Sequence, residues 1–190
     1  METYELLKNY ISENEGEENK VYYDSLGIPT IGVGFNLHRN DARAEIENLG
    51  VSYDQLLNKE VGLSPEQIQI LFNRTIESSI QTAEKLFFEF EKISTARQII
   101  LIDLVFNLGE TKLNGFRKMI HAVNNRDWSC AAFELQDSKW FSQVGRRGAR
   151  NVHGLKTDSL QDVNHNLGRI TSPKQSPFHL RLLMYFRRLF

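Results

Sequence analysis

The stretch that decides the fold is Glu15–Gly34, EGEENKVYYDSLGIPTIGVG. Within it, Lys20–Asp24 and Ile28–Gly34 are rich in β-branched and aromatic residues and flank a Ser-Leu-Gly turn, a pattern that predicts a β-hairpin. Asp24 and Thr30 then lie on facing strands, either opposite or diagonal to each other. The hairpin therefore gathers a carboxylate and a hydroxyl at one corner.

A helix is predicted immediately before this hairpin. Apolar residues recur at positions i, i+3 and i+7 over about Thr3–Asn14, which is typical of an amphipathic helix. Gly16 is expected to end the helix in the left-handed conformation that glycine often adopts at that place. Glu15 would then lie in the last turn, where exposed carbonyl groups disfavour a negative charge and so favour a protonated carboxyl.

Together these features predict one polar cluster of Glu15, Asp24 and Thr30. Glycoside hydrolysis requires two carboxyls in unlike environments, one to protonate the leaving oxygen and one to handle water or a glycosyl cation. Each residue also has a plain structural interpretation: solvated surface, turn bonding or β-propensity. The glycines do not predict a phosphate site, because the third glycine of a dinucleotide fingerprint and a P-loop Gly-Lys-Ser/Thr are both missing.

Composition limits the class of protein. The chain has 190 residues, 41% of them hydrophobic, which suits one domain with a substantial core, in one or two lobes. Its net charge of −1 argues against a nucleic-acid-binding domain. That small value hides an asymmetry: residues 1–95 carry 8 Lys+Arg against 17 Asp+Glu, and residues 96–190 carry 15 against 7. A polar, partly anionic polymer is a fitting partner for such a surface.

Other chemistries find little support in the sequence. Cys130 is the single cysteine, so no internal disulfide is expected, and we interpret it as a core or boundary thiol. The five histidines are scattered without a His-Glu-x-x-His pattern, so we expect no metal and no cofactor. No apolar run reaches the length of a spanning helix, and no signal segment opens the chain, which predicts synthesis in the cytoplasm.

Two long helices are predicted in the middle of the chain. Ser64-Pro65-Glu66-Gln67 is a strong helix start, and the apolar face that follows extends to about Phe87. This helix is long enough to connect two lobes, although an ordinary surface helix fits the pattern equally well. Ser94 is expected to cap the next helix, which is apolar nearly all round and is expected to end at Gly109. Asp103 interrupts that run, and we interpret it as a structural carboxylate with a partner. Shorter helices are predicted at 42–49, 116–122 and 128–135.

Motifs at both ends of residues 1–153 resemble, in order and spacing, the phage-type lysozymes of glycoside hydrolase family 24, including the T-even phage enzymes. They are Glu15-Gly16, Tyr22, Asp24, Gly27, Thr30-Ile31-Gly32-Val33-Gly34, Val105-Phe106-Asn107-Leu108-Gly109-Glu110-Thr111, Trp128 with Ala131-Ala132, Ser138-Lys139-Trp140 and Arg147 with Arg150. The resemblance implies a mainly helical α+β fold, in which a long helix joins a small β-hairpin lobe to a larger helical lobe with a cleft between them. It implies that residues 1–153 form the catalytic domain.

The resemblance also implies a reaction and its residues. The reaction is hydrolysis, without cofactor, of the β-1,4 bond between N-acetylmuramic acid and N-acetylglucosamine in peptidoglycan. Glu15 would be the general acid, Asp24 would position or deprotonate water, and Thr30 would hold that water. The predicted inverting course assigns the attack to this water, not to Asp24 itself.

Three further residues are expected to bind substrate. Asn107 takes the place of a glutamine that lines the cleft, and it is one methylene shorter. Lys139 belongs to the Ser138-Lys139-Trp140 motif. Arg147 matches the arginine that approaches the catalytic glutamate in the family.

The remaining residues, 154–190, are predicted to form a C-terminal extension. Residues 154–176 are polar and are interpreted as loops or a weak helix, and 177–190 are cationic and apolar. Docking of this last segment on the body is favoured over a membrane-surface helix, because exposed apolar groups would promote aggregation.

The sequence leads us to expect a monomeric endolysin that is made in the bacterial cytoplasm and degrades the cell wall, so that the host cell lyses. A holin-type pore, lysis itself or incorporation into a virion would bring it to the wall. Two alternatives stay open: a wall-binding or virion structural module with weak catalysis, and a membrane-disrupting protein that acts through the C-terminal segment.

Overall fold

The computed structural model describes residues 2–13, 15–24 and 27–160, without the side chain of Glu2, and the chain divides into two compact units. The hairpin unit runs from Lys8 to Ser78. The helical unit comprises the residues up to Leu7 and those from Ser79 onward. The fold is α+β and mainly helical, with a small antiparallel sheet in the hairpin unit and most of the helices in the helical unit.

The elements follow one another along the chain in the order α1, β1 to β3, and α2 to α9. Their bounds are α1 Glu2–Ser12, β1 Glu18–Tyr23, β2 Pro29–Gly32, β3 Phe35–Asn36, α2 Ala42–Glu47, α3 Tyr53–Leu57, α4 Pro65–Leu86, a 3₁₀ turn Phe90–Lys92, α5 Thr95–Leu113, α6 Arg117–Asn124, α7 Trp128–Gln136, α8 Lys139–Val144 and α9 Arg146–Thr157. The predicted hairpin and the predicted helices are all present. Helix α3 was not predicted.

The strands form an antiparallel sheet in the order β1-β2-β3. Tyr22 lies opposite Thr30, and Tyr23 lies opposite Pro29. All four residues of β2 are buried. Because side chains alternate between the two faces of a strand, Asp24 follows Tyr22 on the face that also carries Thr30, and is therefore diagonal to Thr30.

The end of α1 differs from the prediction. The helix ends at Ser12, and the Glu15 N–H donates to the Ser12 carbonyl at 3.1 Å. Gly16 is not among the glycines with a positive φ. The chain thus leaves the helix two residues earlier than the apolar pattern predicts, and Glu15 lies beyond the last turn. The predicted effect of the helix end on the protonation of Glu15 therefore does not apply.

Helix α4 begins where the sequence predicts. The Ser64 N–H donates to Gln67 Oε1 at 2.8 Å, and the Gln67 N–H donates to Ser64 Oγ at 3.2 Å, which is a complete capping box. The helix contributes Pro65–Ser78 to the hairpin unit and Ser79–Leu86 to the helical unit. The prediction of a long helix that connects two parts of the chain is confirmed.

Helix α5 is buried over most of its first three turns. Residues from Gln98 to Val105 are buried, and Leu101 and Asp103 are completely so. The helix does not end at Gly109 as predicted: the non-helical φ of 72° and ψ of 160° at Gly109 produce a kink, after which helical structure resumes to Leu113. Glycine adopts this conformation without the steric cost that a side chain would add.

The C-terminal predictions are only partly within the described residues. Helix α9 extends to Thr157, so the start of the segment 154–176 is helical and not a loop. Residues 161–190, including the cationic apolar segment, lie outside the described residues. Among the helices of the described part, none is both long and apolar enough to cross a membrane. The boundary of the catalytic domain at residue 153 stays a prediction.

Candidate active site

The carboxylate of Glu15 lies against the backbone of Gly34 in the hairpin unit. A Cβ atom built on Gly34 would stand 2.8 Å from Oε2 of Glu15, which is closer than real Cβ atoms come. Gly34 also has a φ of 70°, a conformation that disfavours other residues. Position 34 therefore requires glycine for two independent reasons, and one of them is the position of the Glu15 side chain.

Asp24 occupies the corner of the hairpin. Its Oδ1 accepts a hydrogen bond of 2.8 Å from the Ile28 N–H, and its own N–H donates to the Ile28 carbonyl at 3.0 Å. The Gly27 N–H donates to the Asp24 carbonyl at 2.9 Å and closes the turn. Asp24 thus bonds the turn backbone, as its structural interpretation predicts, and these bonds fix the direction of a carboxylate that remains partly exposed.

Thr30 is buried, with 4% of its surface exposed. Its Oγ1 donates to the Ile28 carbonyl at 3.0 Å, the same carbonyl that accepts from the Asp24 N–H. Because a threonine hydroxyl has a single hydrogen, Oγ1 in this arrangement can serve a further partner only as an acceptor. This property limits how a water molecule could bind to it.

Tyr22 connects these three residues. Burial raises the pKa of its phenol above the ordinary value, and the negative charges of Glu15, Asp24 and Glu18 raise it further. Tyr22 is thus close enough to both Glu15 and Asp24 to feel their charges, and it faces Thr30 across the hairpin. The hairpin unit therefore brings Glu15, Asp24 and Thr30 together around one protonated phenol.

Asn107 and Lys139 lie in the helical unit, and both are exposed. The indole Nε1–H of Trp140 donates to Oδ1 of Asn107 at 2.7 Å. Lys139 precedes Trp140 and is the first residue of α8, whose N-terminus is capped by the Ser138 hydroxyl accepting from the Phe141 N–H at 3.1 Å. The bond between Asn107 and Trp140 therefore holds the start of α8, with Lys139, beside α5.

Arg147 is nearly buried and is paired with Asp103. Its Nε donates to Oδ2 of Asp103 at 3.1 Å, and its Nη2 donates to Oδ1 at 2.8 Å. Asn151, one turn further along α9, donates to the same Oδ2 at 2.8 Å. The prediction that Asp103 is a carboxylate with a partner is confirmed, and the partner is one of the residues expected to bind substrate.

Asp103 and Asn107 are four residues apart on α5 and therefore lie on one face of that helix. Asp103 bonds α9 through Arg147, and Asn107 bonds α8 through Trp140. One helix face thus gathers all three residues that the sequence assigns to substrate binding in the helical unit: Asn107, Lys139 and Arg147.

Comparison with known proteins identifies the family. The family model described as phage lysozyme matches residues 12–160, which is most of the chain. This chain belongs to the phage lysozyme family. It is a glycoside hydrolase, a lysozyme of the muramidase type whose substrate is peptidoglycan.

The relatives of this phage lysozyme come from different sources. Over 82% of this chain, it is 27% identical to probable T4-type lysozyme 2 of Dictyostelium discoideum and covers 96% of that protein. Over 81% of this chain, it is 24% identical to probable T4-type lysozyme 1 of the same organism and covers 95% of it. It is 26% identical to the pre-baseplate central spike protein Gp5 of Enterobacteria phage T4, of which it covers only 28%.

Two residues of the lysozyme site were given no role in the sequence analysis. Tyr22 was noted as part of a motif, and the alternation of side chains along β1 could have placed it on the face of Asp24. Trp140 was also noted in a motif, but its bond to Asn107 joins residues 33 positions apart. No local pattern reports a contact of that kind.

Proposed function

We propose that this lysozyme is an endolysin-type muramidase that cleaves the β-1,4 bond between N-acetylmuramic acid and N-acetylglucosamine with inversion. Glu15 protonates the leaving oxygen, Asp24 accepts a proton from water, and Thr30 holds that water. The observation that carries the assignment is the common neighbourhood of Glu15, Asp24 and Thr30 around Tyr22. It supplies the two carboxyls and the water-binding hydroxyl that the reaction needs.

The hydrogen bonds of Thr30 support water as the nucleophile. Since Oγ1 donates to the Ile28 carbonyl, a bound water must donate one hydrogen to Oγ1. Its other hydrogen is then available to the carboxylate of Asp24, which lies on the same hairpin face. A water held by both hydrogens directs its lone pairs away from the protein, where they can attack the anomeric carbon while Asp24 takes the proton.

Glu15 is suited to the acid role by its surroundings. The Gly34 backbone lies against the Glu15 carboxylate, so no side chain separates them and the direction of the carboxyl is restricted. A general acid must be within hydrogen-bond reach of the leaving oxygen in a defined direction. The close approach of Gly34 provides that restriction.

Asn107, Lys139 and Arg147 are proposed to bind the glycan. The indole nitrogen of Trp140 can only donate, so the atom of Asn107 that it meets must be the oxygen, and the amide nitrogen points the other way. Asn107 then presents two N–H donors at the surface. Carbonyl oxygens of the acetamido groups in peptidoglycan are matching acceptors. Lys139 and Arg147 suit anionic groups of the same polymer.

The biological setting is proposed in the same terms. The protein degrades the wall and lyses a bacterial host, either after release through a holin-type pore or as part of a virion. Similarity to a central spike protein supports the second route, since that relative is named as part of a baseplate. We keep the proposal of a catalytic domain over residues 1–153 that acts as a monomer, and a wall-binding virion module as the alternative.

Hydrolysis of purified peptidoglycan by wild-type protein and by Glu15→Gln tests the proposal. The substitution keeps the shape of the side chain and removes its acid, so turnover should vanish while the circular dichroism spectrum and binding to peptidoglycan persist. The first sugar end formed by the wild type should be the α-anomer in NMR. Formation of the β-anomer first, or undiminished turnover in Glu15→Gln, would contradict the assigned roles.

A further inference from the structure

Asp103 is a fully buried carboxylate that the proposed reaction does not use. None of its surface is exposed, and it accepts three hydrogen bonds, two from Arg147 and one from Asn151. A buried charge of this kind is costly unless it is paired and hydrogen-bonded. The question is what this pair does besides filling the interior of the helical unit.

The pairing fixes the orientation of the guanidinium group. Arg147 meets both carboxylate oxygens with Nε and Nη2, the two donors on one edge of its planar fork. Because the fork is rigid, bonds along this edge determine the plane and the direction of the opposite edge, which carries Nη1. Asn151 holds Oδ2 of Asp103 and so restricts rotation of the carboxylate itself.

The position of Arg147 on α9 makes such a partner necessary. Arg147 is the second residue of the helix, where the helix dipole disfavours a positive charge. It is also 6% exposed, so water does little to stabilise the charge. Without a compensating anion, the side chain would gain by turning outward into solvent. Asp103 removes that tendency.

We propose that Asp103 is a positioning residue for substrate binding, which holds the guanidinium of Arg147 in the orientation that binds the glycan. This inference rests on the proposed function, in which Arg147 binds substrate. Asp103 does not touch the glycan itself. Its effect reaches the polymer through the two bonds to Arg147.

A double-mutant cycle on the full chain tests this inference. Asp103→Asn keeps the size of the side chain, but it loses the charge and can accept from only one edge donor of Arg147. We expect KM for peptidoglycan to rise about tenfold or more, as for loss of a hydrogen bond to a charged group, with kcat nearly unchanged. Arg147→Lys should raise KM similarly, and the double variant should be no worse than the larger single effect.

Leu101→Ala is the matched control, because Leu101 is also completely buried on α5 and has no part in the proposed machinery. Measured well below its melting temperature, it should be less stable with an unchanged KM. If Asp103→Asn leaves KM unchanged while Arg147→Lys raises it, or if the two effects multiply, the inference is overturned and the proposed function stands. If the wild type does not hydrolyse peptidoglycan, the proposed function itself is overturned.

Discussion

The backbone of Gly34 touches the carboxylate of Glu15, so that a methyl group at position 34 would stand 2.8 Å from Oε2. This contact joins the end of the hairpin sequence to the residue that precedes it. It makes the direction of the Glu15 side chain depend on the absence of a side chain nineteen positions later. The relationship can be tested without changing either carboxyl of the site.

Gly34→Ala should nearly abolish peptidoglycan hydrolysis, because the added methyl displaces the Glu15 carboxylate. The substitution also places a side chain at a φ of 70°, which costs roughly 1–2 kcal/mol of stability. Gly50→Ala is the control, since Gly50 has a φ of 75° and nothing within 4 Å of the built Cβ. It should lose similar stability in chemical denaturation and keep its activity. Equal activity in both variants would refute the role of the contact.

Thr30→Val should lower kcat about a hundredfold, the lower end of the contribution from general acid–base catalysis, because the nucleophilic water loses one of its holding groups. The stability cost should be only about 1 kcal/mol, since the Ile28 carbonyl still accepts from the Asp24 N–H. Thr30→Ser retains the hydroxyl and should retain most of the activity. Steady-state kinetics on all three proteins decide the matter, and equal kcat values would exclude the hydroxyl from the reaction.

Tyr22 should titrate above its ordinary pKa of 10.0, and Glu15→Gln should lower that pKa by removing one of the neighbouring negative charges. NMR of tyrosine labelled at Cζ measures this directly. Glu17→Gln is the control, because Glu17 is exposed and does not contribute to the shift. An equal response to both substitutions would show that Glu15 is not a specific neighbour of the phenol.

The same raised pKa predicts how stability changes at high pH. A group whose pKa is higher in the folded than in the unfolded state stabilises the fold fully below the unfolded value. That contribution is lost as the pH rises through the folded value, here above about 10. Tyr22→Phe should therefore show a smaller loss of unfolding free energy than the wild type between pH 9 and about 12 in denaturant titrations. An identical alkaline loss in both proteins would contradict this prediction.

Leu101→Ala should destabilise the protein by roughly 2–5 kcal/mol, because it leaves a cavity in a completely buried part of α5. This range derives in part from measurements on a phage lysozyme, so it is adopted and not independent. Ile70→Ala on α4 is the control, since Ile70 is 43% exposed and should change the unfolding free energy by about 0.5 kcal/mol or less. Comparable losses in the two variants would be inconsistent with the packing of α5.

Local patterns in the sequence determined most of the architecture. The hairpin follows from alternating β-branched and aromatic residues around a turn, and the start of α4 follows from the capping box at Ser64. Both depend on interactions between residues close together in the chain, which a sequence displays directly. The motifs that carry the family resemblance likewise identified Glu15, Asp24 and Thr30 as candidates.

The tertiary structure decided what those patterns leave open. The end of α1 moved to Ser12 and α5 continued past Gly109, because helix ends depend on contacts that propensity does not contain. The contact of Gly34 with Glu15, and the bonds of Asp103 to Arg147 and of Asn107 to Trp140, join residues 19 to 44 positions apart. Their partners are chosen by packing and by the need to satisfy buried charge and hydrogen-bonding groups, and these requirements exist only once the chain has folded.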